Sequence, residues 1–505
     1  METEKLLAVL PVKKVVGAVP PTVTDMAVDS RAVNAGGVFV CIDGFTVDGH
    51  SYVGKAIDNG ARVIIASKVV EVDLEKVAVV YVDDTTRAIA LLAPRFYAYP
   101  SKRMTMIGVT GTNGKTSVSG ILHAVLRAAG EMSAVSGTIG FDLDGTLYET
   151  ENTTPDVLTT QGMIARAAAE GCKTMTMEVS SHGLIEGRLA GTEFDIAIFT
   201  NLTHDHLDFH GTMEEYGHAK ALLFSQLGQD LEKPKFAVVN ADDAWSEKLQ
   251  DMTSYPVLSY GIHNEAVFRG SDIVLAADGT SFTLNAPDGE FAVTMNLIGE
   301  FSVYNALAVI AALYAKGMAT VDVIGYLKEV PAVKGRMEQV PTTLPLTMYV
   351  DYAHSPDAIE KAIAAVLPYK KDSSKLIFVI GTGGNRDRLK RPIMAEKASV
   401  ADYVILTTDD PRDEPYESIV SELAAGMLHE GYACIGDRAE AVRHAVEVAE
   451  RDDIIIFAGK GHEDFQIIGS TKYPHSDAEI ALEEAEKKFG AGSDQTRNGV
   501  FAPRF

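Results

Sequence analysis

The run Gly108-Val109-Thr110-Gly111-Thr112-Asn113-Gly114-Lys115-Thr116-Ser117 constrains this chain more than any other stretch, because an apolar strand at 104–109 leads into it and an amphipathic helix at 116–129 leaves it. A glycine-rich turn of this kind aims backbone N–H groups at phosphate oxygens, and the helix N-terminus adds positive potential there. Lys115 reaches terminal phosphates and Thr116 offers a hydroxyl to Mg²⁺. Where the general pattern places its first glycine the chain has Val109, so the motif is a variant, but Gly111, Thr112, Asn113, Gly114, Lys115, Thr116 and Ser117 keep everything a phosphate cradle needs.

Around that loop, 505 residues are enough for about three domains. Short β-branched runs at 38–40, 62–66 and 77–82, with a helix at 51–60, make a first α/β unit over 1–101. Strand–helix alternation continues from the phosphate loop over 102–333. A third series fills 334–490, with strands at 346–350, 376–380, 403–406 and 454–458 and helices at 357–366, 391–398, 418–428 and 439–450. The expected fold class is α/β, three α/β domains in series. The central one is a P-loop-type, mostly parallel sheet with flanking helices and the C-terminal one is Rossmann-like, while 491–505 is read as an unstructured tail.

Hydrophobic residues at 46% and charged residues at 23% give a globular balance. Lys and Arg total 45 against 70 Asp and Glu, and a net charge of −25 repels a nucleic-acid backbone while leaving room for a local basic pocket. No apolar window is long enough to span a bilayer. The three cysteines, Cys41, Cys172 and Cys434, form no CxxC pair, and the first residues carry acids where an export signal carries bases. A cytoplasmic monomer with small-molecule partners, no nucleic acid and no membrane span is expected.

Glu178, at the end of an apolar run before Val179-Ser180-Ser181-His182-Gly183, is placed to hold a hard cation beside the phosphate loop. Thr203-His204-Asp205-His206-Leu207-Asp208-Phe209-His210 is dense in His and Asp; without a further soft ligand, Mg²⁺ at the phosphates is a more economical partner than a transition metal. Lys220 lies in an apolar helical stretch, where a snorkelling surface lysine is also at home. Asp351 and His354 end a strand, placed for a ribose hydroxyl and a phosphate. The loops with Arg386, with Asp409-Asp410-Pro411-Arg412, and with Gly459-Lys460-Gly461-His462-Glu463 end neighbouring strands, and their mixed charges suit a zwitterion.

Together Gly108 to Thr116, Asn201-Leu-x-x-Asp205-His206-Leu-Asp208, Tyr216-x-x-Ala-Lys220, Asn305 and Asp351-Tyr-Ala-His354-Ser-Pro-Asp357 resemble the Mur ligases, ATP-dependent amide-forming enzymes of peptidoglycan synthesis and hence of cell shape and division. The resemblance covers residues 1 to 490. Asp29-Ser30-Arg31, Asp48-Gly49-His50, Asn152-Thr153-Thr154, Met177 to Gly183 and Gly459 to Glu463 are similar to the MurE branch, which adds the third residue to UDP-N-acetylmuramoyl-L-alanyl-D-glutamate.

The resemblance implies a UDP-substrate-binding first unit, a central ATP-binding unit and an amino-acid-binding third unit, with ATP and Mg²⁺ as cofactors and an acyl-phosphate intermediate. It implies that Lys115, Lys220, His206 and His354 are catalytic and that Thr116, Glu178, His206 and a carbamylated Lys220 surround the metals. Asn305, Arg336 and Asp351 join the ATP site. Ser30, His50, Asn152, Thr153, Thr154, Ser180 and Arg188 hold the UDP-linked dipeptide, and Arg386, Asp409, Asp410, Arg412, Gly459 and Glu463 the incoming amino acid.

Two departures matter: Glu186 replaces a common Gln, and Asp410 replaces the Asn usual in relatives that add meso-diaminopimelate. Because the Arg412 guanidinium can pair with a distal carboxylate, meso-diaminopimelate is the expected amine and L-lysine the alternative. More remote alternatives are a folylpolyglutamate synthetase-like ligase and a nucleotide-dependent hydrolase or regulator.

Overall fold

The computed structural model describes residues 1–44, 47–228 and 233–490; the expected unstructured tail, 491–505, lies outside them. Among the described residues, three sheets of five or more strands follow one another along the chain. In the first, strands Ala78–Tyr81, Ala61–Ala66, Gly37–Val40 and Met26–Ala27 run parallel in that order, and Lys14–Gly17 pairs antiparallel on the outer side of Ala78–Tyr81. Helices on both faces explain why Ala61–Ala66 reads as an almost unbroken apolar run rather than an alternating one.

The central sheet has eleven strands. Strand Thr105–Thr110 lies between Ile196–Phe199 and Thr174–Glu178, with Ser133–Gly137 beyond the latter, all parallel. The chain therefore leaves Thr105–Thr110 toward one side, returns to fill the gap, and then crosses to the other side. That reversal opens a crevice at the C-terminal strand ends, where α/β sheets bind ligands. Register fixes what meets there: Glu178 stands opposite Val109, and Phe199 opposite Thr110.

One expectation is corrected in this unit. Strand–helix alternation does not continue to 333; Phe268–Ala276, Gly279–Ala286 and Gly289–Met295 form an antiparallel meander on the sheet's edge. Asp278-Gly279 and Asp288-Gly289 turn its hairpins, and the period-two pattern of Gly279–Ala286 is that of a strand. Helix Glu300–Ala315 follows and is buried almost all round, so its sequence shows no polar stripe.

The third sheet runs Glu338–Gln339, Thr347–Asp351, Ile454–Ala458, Leu376–Thr382, Tyr403–Thr408, Tyr432–Cys434, parallel except for the first pair. The helix expected at 418–428 is Tyr416–Ala424. It stops before Gly426, where a Cβ would sit 1.9 Å from the Pro392 carbonyl oxygen, a backbone approach only glycine permits. A small hairpin, Phe465–Ile468 with Thr471–Pro474, gave no separate sequence signal. No helix among the described residues is long and apolar enough to cross a membrane.

Candidate functional site

The phosphate loop is held from below by the strand next to it. Thr112 N–H donates to Asn201 O (2.8 Å), Asn113 N–H to Asn201 Oδ1 (2.9 Å), and the Thr200 hydroxyl to Asn113 O (2.6 Å). Gly111, at φ +146°, leaves no space for a side chain: a Cβ there would lie 1.8 Å from Thr200 Oγ1. Helix Lys115–Ala128 starts directly after Gly114, with Thr116 and Ser117 in its first turn. Lys115 Nζ folds back onto Gly111 O and Thr112 O, both at 2.9 Å, and burial lowers its ammonium below the usual lysine range.

Glu178 is buried in the crevice. It accepts from the Thr116 hydroxyl (3.0 Å), Thr138 N–H (2.9 Å) and the Thr138 hydroxyl (3.1 Å). A hydroxyl and a carboxylate brought together beside a phosphate loop are the donors a small hard cation such as Mg²⁺ takes. His206 stands nearby with φ +54°, its ring 5.0 Å from that of His182, and burial pulls it down to about 3. A neutral imidazole is the form that ligates.

Lys220 is not a surface lysine: it is 1% exposed, donates to Gly111 O (2.8 Å), and sits 4.2 Å from the Tyr216 ring centre. Burial, then the neighbouring Lys115, pushes its ammonium well below 10.5, which favours the neutral amine. Neutral amine is also what adds CO2 to give a carbamate. These residues fit the cation that the sequence implies.

The third unit closes over this crevice. Arg336 Nη2 donates to the Thr116 hydroxyl (2.9 Å) while its guanidinium stacks on Tyr352 (4.5 Å), and Asn113 Nδ2 donates to Asp357 Oδ2 (2.6 Å). Asn305 comes up from helix Glu300–Ala315 beside Gly114, where a Cβ would lie 3.0 Å from Asn305 Oδ1. Asp205 is buried between Lys390 Nζ (3.4 Å), His206 Nε2 (3.6 Å) and His354 Nε2 (3.9 Å). Burial works to raise its carboxyl, but the Lys390 ammonium first, then the His354 and His206 rings, hold it below the usual range. His354 Nδ1 donates to Tyr352 O (2.8 Å), because a carbonyl can only accept, and this leaves Nε2 facing the crevice. Asp351 is less available than expected: its oxygens accept Met337 N–H (2.6 Å) and Ala353 N–H (2.8 Å), shaping the turn before His354.

Between the first and central units lies a cleft of about 1380 Å³ lined by Ser30, Arg31, Asn152, Glu186 and Arg188 among others. Arg188 donates to Thr154 O (2.9 Å) and pairs with Glu186 (Nε to Oε2, 2.7 Å), so the unexpected acid at 186 restrains the arginine it neighbours. Thr154 is buried beneath this floor: its hydroxyl donates to Glu178 O and accepts from Ser180 N–H. The Thr153 and Thr138 hydroxyls pair at 3.1 Å, linking cleft to crevice. His50 does not reach the cleft wall. Its ring is held by Asp48 (2.6 Å) and by Ser67 and Lys68 N–H at Nε2, so it shapes the loop from behind.

At the edge of the third sheet, Asp409, Asp410 and Glu463 converge on a residue the sequence reading left unassigned. Lys460, buried, lies 3.3 Å from Asp409 Oδ1, 2.8 Å from Asp410 Oδ1 and 2.5 Å from Glu463 Oε2. Burial, with Asp409 and Asp410 nearby, raises the Glu463 carboxyl above its usual range even against Lys460. Gly459, at φ +110°, places the turn 3.3 Å from Asp409 Oδ2 in Cβ terms. Arg386 is exposed at the rim, and Arg412 Nη1 donates to Gly384 O (3.1 Å) and Asp410 O (3.4 Å). Lys460, Asp205, Lys390 and Tyr352 are the residues sequence reasoning missed as partners. Each stood beside a quoted motif, but only the fold shows what it pairs with.

The chain matches the Mur ligase family catalytic domain over residues 22–97, the Mur ligase middle domain over 109–313 and the Mur ligase glutamate ligase domain over 335–461. It is 46% identical over 491 residues to UDP-N-acetylmuramyl-tripeptide synthetase 2 of Oceanobacillus iheyensis, covering 97% of this chain and 99% of that protein. It is 43% identical over 496 residues to the UDP-N-acetylmuramoyl-L-alanyl-D-glutamate–L-lysine ligase of Staphylococcus haemolyticus, covering 98% and 100%. A solved UDP-N-acetylmuramoyl-L-alanyl-D-glutamate–2,6-diaminopimelate ligase superposes with a TM-score of 0.67 at 30% identity, over 96% of this chain and 99% of that one.

Proposed function

The chain belongs to the Mur ligase family of ATP-dependent amide-forming ligases, and on that premise we propose that it joins L-lysine to the D-glutamyl residue of UDP-N-acetylmuramoyl-L-alanyl-D-glutamate. The observation that carries the choice of amine is the cluster of Asp409, Asp410 and Glu463 around a single buried cation, Lys460. Three carboxylates facing the Lys460 ammonium and, 4.0 Å from Asp410, the Arg412 guanidinium still leave negative charge for a second ammonium. Lysine brings a distal ammonium alone; meso-diaminopimelate would bring that ammonium together with a carboxylate, which Asp410 repels.

The expectation of meso-diaminopimelate rested on a presented Arg412. That guanidinium instead spends a donor on the carbonyls of Gly384 and Asp410 and lies 4.0 Å from the Asp410 carboxylate. The name of the Staphylococcus haemolyticus relative, at 43% identity, supports lysine; the diaminopimelate ligase stands further off at 30%.

In this reading the UDP-linked dipeptide occupies the cleft at Ser30, Asn152 and Arg188, and ATP lies over residues 111–117 with Asn305, Arg336 and Asp351 around it. A D-glutamyl carboxylate oxygen attacks the γ-phosphorus and ADP leaves, giving an acyl phosphate. The neutral α-amine of lysine attacks the acyl carbon; phosphate departs from the tetrahedral intermediate, and the amine's proton is lost as the amide forms. Lys115 and His354 Nε2 would face the charge that develops on the transferring phosphoryl group. Thr116, Glu178, His206 and a carbamylated Lys220 would hold Mg²⁺, which supplies further positive charge at the phosphates. Arg386 grips the amino acid's carboxylate.

The test is phosphate release from ATP with the UDP-linked dipeptide, comparing L-lysine, meso-diaminopimelate and no amino acid. Release that requires the dipeptide and L-lysine is expected. Preference for meso-diaminopimelate would return Arg412 to the role first expected of it, and release indifferent to both would favour a hydrolase.

A further inference from the structure

Arg391 is a buried charge that the proposed reaction does not use. Its side chain is 0% exposed, and burying a guanidinium costs several kcal/mol unless it is paired. A hydrophobic residue of similar size would fill the space at less cost. What only a planar fork can do is bond in several directions at once. Nη1 donates to Glu414 Oε1 (2.7 Å) and Glu422 Oε2 (2.9 Å), and Nη2 donates to Glu414 Oε2 (2.8 Å) and Gly383 O (3.2 Å).

Glu414 passes this restraint on. Its Oε2 also accepts Asn385 N–H (2.8 Å), its Oε1 accepts the Ser418 hydroxyl (3.1 Å), and its own N–H donates to Pro411 O (3.0 Å). The pair therefore grips two turns. One carries Arg386; the other carries Asp409, Asp410 and Arg412. The turns are also hydrogen-bonded through Gly384, whose N–H donates to Asp410 O (2.8 Å), and through Arg412 Nη1, which donates to Gly384 O (3.1 Å). Both contain a non-glycine residue in the left-handed region, Asn385 at φ 55° and Arg412 at φ 51°. Such backbone is strained for a residue with a side chain and persists only where surroundings over-determine it.

We infer that Glu414 and Arg391 are positioning residues for the amino-acid substrate, fixing the distance between the cationic pole at Arg386 and the anionic pole at Asp410 and Glu463. This rests on the amino-acid site proposed above. The brace holds a ruler against which a zwitterion of one length is measured, and loosening it weakens the amine while leaving ATP and the UDP-linked dipeptide untouched.

Steady-state kinetics on the full chain, varying each substrate separately, provide the test. Glu414→Gln keeps the shape but puts an NH2 where a carboxylate oxygen now accepts. It is expected to raise KM for L-lysine about tenfold, with KM for ATP and for the dipeptide changed by less than about twofold. Arg386→Ala and Asp410→Asn serve as controls on the site itself. If these raise the lysine KM and Glu414→Gln leaves it unchanged, or raises all three KM values alike, the brace is overturned and the site stands. If neither control moves the lysine KM, the site reading falls and takes the brace with it. Should Glu414→Gln fail to give a cooperative thermal transition, Ser418→Ala, which deletes one bond to the same carboxylate, is expected to raise the lysine KM alone by about threefold; no change there overturns the inference.

Discussion

Among single residues, Lys220 gives the sharpest contrast between what sequence spacing suggests and what the fold makes of it. Ala219, Ala221 and Leu222 around it are as compatible with a snorkelling surface lysine as with a buried one, and only packing decides. In the fold its amine is buried against Gly111 O and the Tyr216 ring, its ammonium disfavoured by burial and by Lys115, and it is aimed at the phosphate loop. Lys220→Ala is expected to lower kcat by at least about a hundredfold, and short carboxylic acids such as formate or acetate should restore part of it by standing in for the carbamate. A folded variant that no carboxylic acid rescues would return Lys220 to a purely structural role. The loop at 111–114 stands where its motif places it, between strand Thr105–Thr110 and helix Lys115–Ala128, because consecutive residues set local backbone geometry. His50 and Asp351 show the reverse. Their positions in motifs were legible, but their ring or carboxylate is already taken by neighbouring backbone N–H groups, which no motif displays.

At the scale of elements, strand and helix cores were legible because each repeats a pattern over several residues, whereas the antiparallel edge 268–295 and the hairpin 465–474 were not. Both are antiparallel additions to a domain that otherwise alternates strand and helix, and the expectation of continued alternation absorbed them. What locks elements together was also hidden. Arg438, first residue of helix Arg438–Val448, donates to Thr408 O (3.2 Å) and Ala458 O (2.8 Å), the last residues of two strands, and pairs with Asp477 at the start of helix Asp477–Phe489. His475 completes the group at 2.7 Å from Asp477 Oδ1. Burial alone would raise the Asp477 carboxyl, but Arg438 and His475 hold it below the 3.8 of an unpaired aspartate. A carboxyl whose folded pKa lies below its unfolded value binds more protons when unfolded, so its contribution is present above about pH 4 and lost as pH falls below it. Thermal unfolding should therefore show a steep acid loss in this unit that Asp477→Asn flattens. The same variant should cost about 3–5 kcal/mol at neutral pH by leaving Arg438 unpaired. An unchanged acid arm would mean that other carboxylates govern it.

Over the whole molecule, the two halves of the candidate reaction site come from different domains, and beside the contacts made by Arg336, His354 and Asp357 one short segment faces both. Asp387 and Lys390 reach the central unit, at His204 (3.6 Å) and Asp205 (3.4 Å), while Arg386 and Arg391 on the same segment belong to the proposed amino-acid pocket and its brace. Amine recognition and domain closure are thereby joined within six residues, although their partners lie as far apart in the chain as 205 and 390. No sequence window spans such a distance, so the junction could not be read before the fold. Asp205 is the buried acceptor that Lys390 and His354 both face from the third unit, and an acid left short of a buried partner is costly. Lys390→Met keeps the stem and removes the charge, so it disfavours the closed arrangement while leaving the phosphate loop intact. The expected result is a kcat lower by about ten- to a hundredfold, with the equilibrium Kd for ATP within about twofold of the unaltered protein. Were ATP affinity to fall in step with kcat, Lys390 would be acting on the nucleotide itself. Were kcat unchanged, the contact with Asp205 would hold the resting form without taking part in turnover.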